Sequence, residues 1–212
     1  MAPLAIGFML GTLVFAFGYI SGGHFNPAVT FGIMLIRGID KYKGLMYIAC
    51  QVMGGFGVLF ALALTEDAIN FPAPEPNPNG ADHGKYAIKA FLAEFIFTFI
   101  LVSVVLNVAC SRQKENNFYG IAIGFTVTSA AYSVGGISGG GFNPAVATGL
   151  QLVKCFFGNC DGFTWFWMYW LAPMCGGAVA ALFFKFCSLD ENYEPHPVSP
   201  RAAAPPAVAP VE

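Results

Sequence analysis

The tripeptide Asn-Pro-Ala occurs twice, 117 residues apart, and its residue types suit the start of a helix: Asn26, Pro27, Ala28, Asn143, Pro144 and Ala145. Asparagine is a favoured N-cap, because its side-chain oxygen accepts from the first turn, which leaves the amide NH₂ group free to donate. Proline at the first helical position sacrifices no hydrogen bond, and alanine lets two helix ends approach closely. Each tripeptide therefore predicts a helix that presents a hydrogen-bond donor and a positive dipole end at its start.

The tripeptides belong to a longer internal repeat. At an offset of 117 residues, positions 5–29 match positions 122–146 at 14 of 25 places without a gap. The matches include an Ile-Ser-Gly-Gly stretch before each tripeptide. The chain thus contains one unit twice: an apolar helix, a glycine-rich break and a short second helix.

The distribution of charge places this unit in a membrane. Of the 212 residues, 56% are hydrophobic and 10% charged, whereas soluble domains are about 25% charged. Four stretches without Asp, Glu, Lys or Arg are each at least as long as the roughly 20 residues of a spanning helix: 1–36, 44–65, 116–153 and 162–184. We predict an all-α polytopic membrane protein, embedded in the lipid bilayer of the plasma membrane or an internal membrane.

Several classes of protein are excluded by the same residues. The net charge of −2 argues against a nucleic-acid partner, which requires a basic patch. No nucleophile–base pair indicates an enzyme, and no residue cluster or motif indicates a metal or a cofactor. We expect none of these.

Full spans are predicted near residues 3–19, 43–64, 87–109, 118–135 and 164–187. Half-spans begin at Asn26 and Asn143 and run to about residues 36 and 153. Together they form one channel-like domain, 1–188, with a first repeat at about 1–64 and a second at about 87–187. Residues 65–86 are a polar, proline-rich loop, and residues 189–212 are a disordered Pro/Ala-rich tail.

The orientation follows from the lysines and arginines near the span ends. Because successive spans cross the membrane in opposite directions, seven of these residues fall on one side and three on the other. The side with more positive charge is cytoplasmic, and it carries the C-terminus. The seven are Arg37, Lys41, Lys43, Arg112, Lys114, Lys185 and Arg201, and the three are Lys85, Lys89 and Lys154. The half-spans then enter from opposite faces and meet in mid-membrane, where irregular backbone must be buried or line a watery cavity. A single Asn-Pro is usually a turn, but two copies in matching contexts favour a pore. Single-file water would turn its oxygen towards the asparagines, and cations would be repelled.

These motifs resemble the major intrinsic protein family, the aquaporins and glycerol facilitators, over roughly residues 4–187. The resemblance implies an hourglass pore in each subunit, passive passage of water and small neutral solutes, and assembly as a homotetramer. Glu94, within Ala-Glu-Phe, and Gln51 also match the family. The family's glutamate braces a re-entrant loop through buried hydrogen bonds, so the resemblance implies that Glu94 and Gln51 are structural braces.

The family's outer constriction falls on four positions that are apolar here: Ile6, Ala131, Gly140 and Val146. Val146 replaces the usual arginine, and no bulky aromatic residue stands at Ile6. We therefore expect a wide gate that admits glycerol, urea, ammonia or hydrogen peroxide. The pair Tyr169–Trp170, however, resembles water-selective members, so the choice of solute stays open.

Three alternatives also stay open. By the repeat, a further helix should precede the first copy; either the protein lacks it or the sequence starts at an internal methionine of a longer gene. Inverted repeats occur in secondary transporters as well, and a truncated paralogue would not conduct. Cys155 and Cys160, in a short loop on the outer side, are equally compatible with a disulfide and with free thiols.

Overall fold

The regular structure in the described part of the chain is helical. A computed structural model describes residues 1–65, 73–76 and 83–187. Within these residues the α-helices are, in chain order, α1 (Ala2–Ser21), α2 (Pro27–Leu35), α3 (Lys41–Gly55), α4 (Val58–Thr65), α5 (His83–Val105), α6 (Tyr119–Ser138), α7 (Pro144–Phe157) and α8 (Met168–Cys187). A π-helical turn, Leu106–Cys110, continues α5, and a 3-10 turn, Asp161–Trp165, precedes α8.

Five helical segments are long and apolar enough to cross a membrane: Ala2–Ser21, Lys41–Leu64, Lys85–Cys110, Tyr119–Ser138 and Asp161–Cys187. These correspond to the five predicted spans, and α2 and α7 are the two half-spans. The predicted all-α architecture is thereby confirmed. The predicted tail, residues 189–212, lies outside the described residues, as do residues 66–72 and 77–82 of the predicted loop.

The second span is interrupted where one continuous helix was predicted. The N–H groups of Phe56 and Gly57 donate to the carbonyls of Met53 and Gly54, only three residues back, which is the spacing of a 3-10 turn. Glycine is a weak helix former, and this stretch has three in four positions. Elsewhere the boundaries shift by a turn: α5 begins four residues earlier than predicted, and α7 ends four residues later.

The sequence repeat is reproduced in the helix boundaries. α1 and α6 each contain 20 residues, and both of their ends are related by the offset of 117. Each ends at a left-handed glycine, Gly22 with φ 79° and Gly139 with φ 78°, a conformation that glycine adopts without steric cost. Their N–H groups donate to the carbonyls of Gly18 and Gly135, both at 2.8 Å. The two copies therefore enter their glycine-rich breaks with the same geometry.

Glycines bring α1 and α6 into close contact. A Cβ atom on Gly124 would lie 2.5 Å from the carbonyl oxygen of Gly7, and a Cβ atom on Gly7 would overlap the carbonyl oxygen of Gly124 and the hydroxyl of Thr128. Small residues allow such close approach of membrane helices. Gly7 and Gly124 are repeat mates, so this contact lies where the two halves of the molecule meet.

Replacing Gly7 with alanine is expected to destabilise the protein by about 1–3 kcal/mol, the usual cost of overpacking a filled site. Gly18→Ala is the matched control on the same helix, because its Cβ would lie 3.6 Å from the Tyr119 ring, an ordinary contact. There the better helix propensity of alanine, worth up to about 1 kcal/mol, should leave stability unchanged or higher. Thermal unfolding in detergent micelles measures both, and equal melting temperatures would contradict the expectation.

Each half-helix packs against a span of the other repeat. α2 lies on α8, and α7 lies on α3. Glycines permit both contacts: a Cβ atom on Gly177 would lie 2.7 Å from the carbonyl oxygen of Ala28, and one on Gly55 would overlap that of Ala145. The alanines of the tripeptides are thus buried against spans, and the half-helices are held by the opposite repeat. A cluster of buried apolar side chains surrounds α2: Val14, Val29, Ile33, Leu101, Val102, Leu106, Ile123 and Phe184.

Candidate functional site

Asn26 and Asn143 occupy the N-cap positions of α2 and α7. The Asn26 Oδ1 atom accepts from the N–H of Ala28 at 2.9 Å, and the Asn143 Oδ1 atom accepts from those of Ala145 and Val146 at 3.0 and 3.4 Å. Both asparagines have extended backbone, as N-caps do. Each proline follows as the first helical residue.

The two caps also bind each other's loops: the first loop, residues 22–26, joins α1 to α2, and the second loop, residues 139–143, joins α6 to α7. The Asn26 Nδ2 atom donates to the carbonyl of Phe142 at 2.8 Å, and the Asn143 Nδ2 atom donates to the carbonyl of Phe25, also at 2.8 Å. The sequence predicted that both NH₂ groups are free to donate, but each already donates one bond to the opposite loop. Because an NH₂ group carries two N–H donors, each asparagine keeps one beyond this reciprocal bond. The starts of the two half-helices are fastened together.

The phenylalanines that accept these bonds have unusual backbone. Phe25 has φ 48° and Phe142 has φ 44°, in the left-handed region that costs a non-glycine residue roughly 1–2 kcal/mol. Each follows two glycines of positive φ, Gly22 and Gly23 in the first loop and their mates in the second. This conformation lets each carbonyl accept from the opposite asparagine. Sequence reasoning missed both residues, although their identity in the two repeats was a usable signal.

Glu94 fixes the second loop from inside the protein. Its side chain is fully buried. The Oε1 atom accepts from the Ser138 hydroxyl at 2.7 Å and from the Gly141 N–H at 2.9 Å, and the Oε2 atom accepts from the Phe142 N–H at 2.5 Å. Burying a carboxyl group is unfavourable unless its oxygens are hydrogen-bonded. Here the last residue of α6 and two N–H groups of the second loop serve both oxygens.

A different set of side chains supports the first loop. The Gln51 Nε2 atom donates to the Thr30 hydroxyl at 2.8 Å, which in turn donates to the carbonyl of Asn26 at 3.1 Å. The His24 Nδ1 atom also contacts the Thr30 hydroxyl, at 3.1 Å, and its ring lies beside Tyr47. Thr30 therefore connects α3 to the cap of α2, a role that the sequence did not indicate.

The aromatic pair of α8 supports the second half of the site. Tyr169 is buried, and its hydroxyl donates to the carbonyl of Ser138. The Trp170 Nε1 atom donates to the Thr148 hydroxyl of α7 at 2.9 Å. Tyr169 thus binds the end of α6 and Trp170 binds α7, so the pair holds the helices on either side of the second loop.

The four constriction candidates lie on four different segments. Ile6 is in α1, Ala131 in α6, Gly140 in the second loop and Val146 in the first turn of α7. Ile6 and Val146 are 54% and 44% exposed. Gly140 has φ 66°, so a larger side chain would be strained there.

Comparisons with known proteins show the family and the fold. A family model described as Major intrinsic protein matches residues 1–184. Aquaporin-B of Dictyostelium discoideum is 35% identical over 218 residues, which cover 87% of this chain and 70% of that protein. The glycerol uptake facilitator protein-like 6 of Lactiplantibacillus plantarum is 32% identical over 186 residues, covering 87% and 82%. A solved structure, the aquaglyceroporin from Plasmodium falciparum, has the same fold, with a TM-score of 0.73, 23% identity and coverage of 88% and 82%.

Asparagine-capped half-helices that meet inside a repeat of spanning helices define a membrane channel of the aquaporin type. The chain belongs to the major intrinsic protein family. It is a multi-pass membrane protein, as its five apolar spans require.

Proposed function

We propose that the chain conducts water and small neutral solutes passively, in single file past Asn26 and Asn143. The observation that carries this proposal is the reciprocal pair of bonds between the asparagines and the opposite loops. This pair brings the N-terminal ends of α2 and α7 together, with one N–H donor left on each asparagine. A water molecule there would accept from the asparagines, and the two positive dipole ends would oppose cations, protons included.

The outer constriction is proposed to be wide and apolar. Ile6, Ala131, Gly140 and Val146 offer no side-chain hydrogen bond and no charge, and two of them are among the smallest residues. Such an opening does not favour water over glycerol, urea, ammonia or hydrogen peroxide. Exclusion of cations then depends on the asparagine pair alone.

Swelling and shrinking of proteoliposomes under water, glycerol and urea gradients tests the proposal. We expect faster volume changes than in empty vesicles for water and for at least one of the two solutes. If the vesicles with protein change volume no faster than empty vesicles under any of the three gradients, conduction is contradicted and a non-conducting paralogue is favoured. Glu94 does not favour the secondary transporter, because its carboxylate oxygens already accept bonds from the second loop.

Val146→Arg is expected to lower glycerol and urea permeability about tenfold while lowering water permeability much less. The arginine would add a bulky, charged side chain with several donors to the constriction. The opening becomes narrower, which hinders glycerol and urea more than the smaller water molecule. Val146→Met is the control, because it adds length without charge. A drop of equal size for all three permeants, or an equal effect of methionine, would contradict the role assigned to this position.

The assembly is proposed to be a homotetramer with its C-terminus in the cytoplasm. Large apolar side chains of α3 and α4 are exposed on the single chain, among them Leu45, Met46, Met53 and Phe60, and they must meet lipid or a neighbouring subunit. Light scattering of the detergent-solubilised protein measures the subunit number. Protease protection of a C-terminal tag in sealed vesicles tests the orientation.

A further inference from the structure

Residues 73–76 lie against the second loop, far from it in sequence. Pro74 and Pro76 are buried. The carbonyl of Pro74 accepts from the Gln151 Nε2 atom of α7 at 2.7 Å, across 77 residues of chain. Gln151 itself is buried, so this hydrogen bond is shielded from solvent and fixes the segment to the half-helix.

An ion pair provides a second attachment one turn further along α7. The Lys154 Nζ atom lies 3.7 Å from the Glu75 Oε1 atom, with the lysine side chain 13% exposed and the glutamate 40%. Gln151 and Lys154 are three residues apart, so they lie on one face of the helix. Successive residues of the segment, Pro74 and Glu75, are thus fastened to successive turns of α7.

The segment contacts the loop backbone next to a constriction position. A Cβ atom on Gly139 would lie 2.6 Å from the Cα atom of Pro74 and 3.0 Å from the N atom of Glu75. Gly139 directly precedes Gly140. Glu94 binds the two residues that follow Gly140. The second loop is therefore contacted by residues 73–76 before Gly140 and by Glu94 after it.

The turn after α7 takes part in the same arrangement. The Gln151 Nε2 atom lies 3.4 Å from the carbonyl of Gly162 as well, and a Cβ atom on Gly162 would lie 3.0 Å from the Glu75 Oε2 atom. Cys155 and Cys160 are joined by a disulfide between α7 and this turn. One glutamine side chain thus joins the half-helix, the segment and the turn.

The first repeat offers no matching side chains. The offset of 117 places Met34 opposite Gln151 and Arg37 opposite Lys154. Within the described residues, a Cβ atom on Gly22, the mate of Gly139, would meet only the His24 side chain. The attachment is therefore found at the second loop and not at the first, and two of the constriction candidates, Gly140 and Val146, lie in or directly after the second loop.

We propose that Gln151 and the Glu75–Lys154 ion pair are positioning residues for solute selectivity, which act through residues 73–76 on the second loop. The segment presses on Gly139, and Gly140 contributes its backbone to the constriction. Loosening the segment allows Gly140 to move outward, which widens the constriction. This role rests on the proposed conduction of water and small neutral solutes.

Charge reversal tests the ion pair. Glu75→Lys and Lys154→Glu each place like charges together, and each is expected to raise the glycerol-to-water permeability ratio of proteoliposomes by about two- to fivefold, the factor corresponding to a partly exposed ion pair. The double variant restores the pair and should restore the wild-type ratio. Lys89→Glu, an exposed lysine with no contact to Glu75, makes the same charge change and should leave the ratio unaltered.

Gln151→Leu tests the buried attachment and is expected to raise the same ratio at least as much, since both of its donor contacts are lost. The ratio separates a positioning role from general instability, because poor folding lowers both fluxes together. An unchanged ratio in Gln151→Leu and in both reversals, or a double variant no closer to wild type than the single ones, would overturn the inference. If the wild type conducts neither water nor glycerol, the proposed function fails instead.

Discussion

Glutamine in place of Glu94 is expected to abolish most water conduction and to lower stability by several kcal/mol. The carboxylate accepts one hydrogen bond from Ser138 at the end of α6 and two from the second loop, and bonds to a charged group contribute about 1.5–3 kcal/mol each. An amide has one oxygen, and its NH₂ group must face either the Phe142 N–H or the Ser138 and Gly141 donors. At least one buried donor then has no acceptor, and the loop that carries Asn143 is released on one side.

The measurements are water permeability per reconstituted channel and melting temperature in detergent. Glu94→Ala should be worse than Glu94→Gln, because it removes all three acceptor contacts and leaves a cavity. An unchanged melting temperature in Glu94→Gln would contradict the expected loss of stability, whatever happens to conduction. Wild-type conduction in both variants would show that the brace is dispensable.

Thr98→Val is the matched control on the same helix. Thr98 is buried, lies one turn after Glu94, and its hydroxyl has no hydrogen-bond partner in the part of the chain that the structure describes. Valine has nearly the same shape, so this substitution removes a buried polar atom without removing a bond. Replacing an unpaired buried polar group by an apolar one is neutral or stabilising, and conduction should persist.

The parts of the site that the sequence predicted are those determined locally. An N-cap depends on a residue and the turn that follows it, so Asn26 and Asn143 could be placed from their own tripeptides. The spans followed from the absence of charge over long stretches. The internal repeat extended both predictions from one half to the other, since the same residues recur at a fixed offset.

What the sequence missed depends on contacts between distant residues. The carbonyls of Phe25 and Phe142 become acceptors only because the opposite asparagine lies within reach, across more than a hundred residues. Gln151 has no repeat mate of its own type, and its acceptor belongs to a loop with little pattern. The interruption at Phe56 results from the low helix propensity of three nearby glycines. Hydropathy alone does not detect it, because the span is otherwise apolar. The disulfide could not be decided either, because proximity in sequence does not fix the oxidation state of two thiols.

Aspartate in place of Asn26 is expected to make the channel leak cations while water still passes. Aspartate is as good an N-cap as asparagine, so α2 keeps its first turn. The donor to the Phe142 carbonyl is lost, and a carboxylate oxygen would face that carbonyl instead. A negative charge then lies between two positive helix ends. At an effective dielectric constant of about 20, such a charge attracts a monovalent cation at 4 Å by about 4 kcal/mol, which cancels much of an electrostatic barrier.

The leak is measured as proton flux into vesicles loaded with a pH-sensitive dye and as potassium flux into vesicles loaded with a potassium-sensitive dye. Asn143→Asp should behave like Asn26→Asp, because each asparagine caps its own half-helix and donates to one carbonyl of the opposite repeat. Asn116→Asp is the control: Asn116 also donates from its side chain to a distant main-chain carbonyl, that of Val108 at 2.7 Å, but it lies in the loop between α5 and α6. The Asn116→Asp substitution should alter neither the proton flux nor the potassium flux. If both pore variants fold, conduct water and remain impermeable to cations, exclusion does not arise at the asparagines. The proposed route past Asn26 and Asn143 would then be wrong.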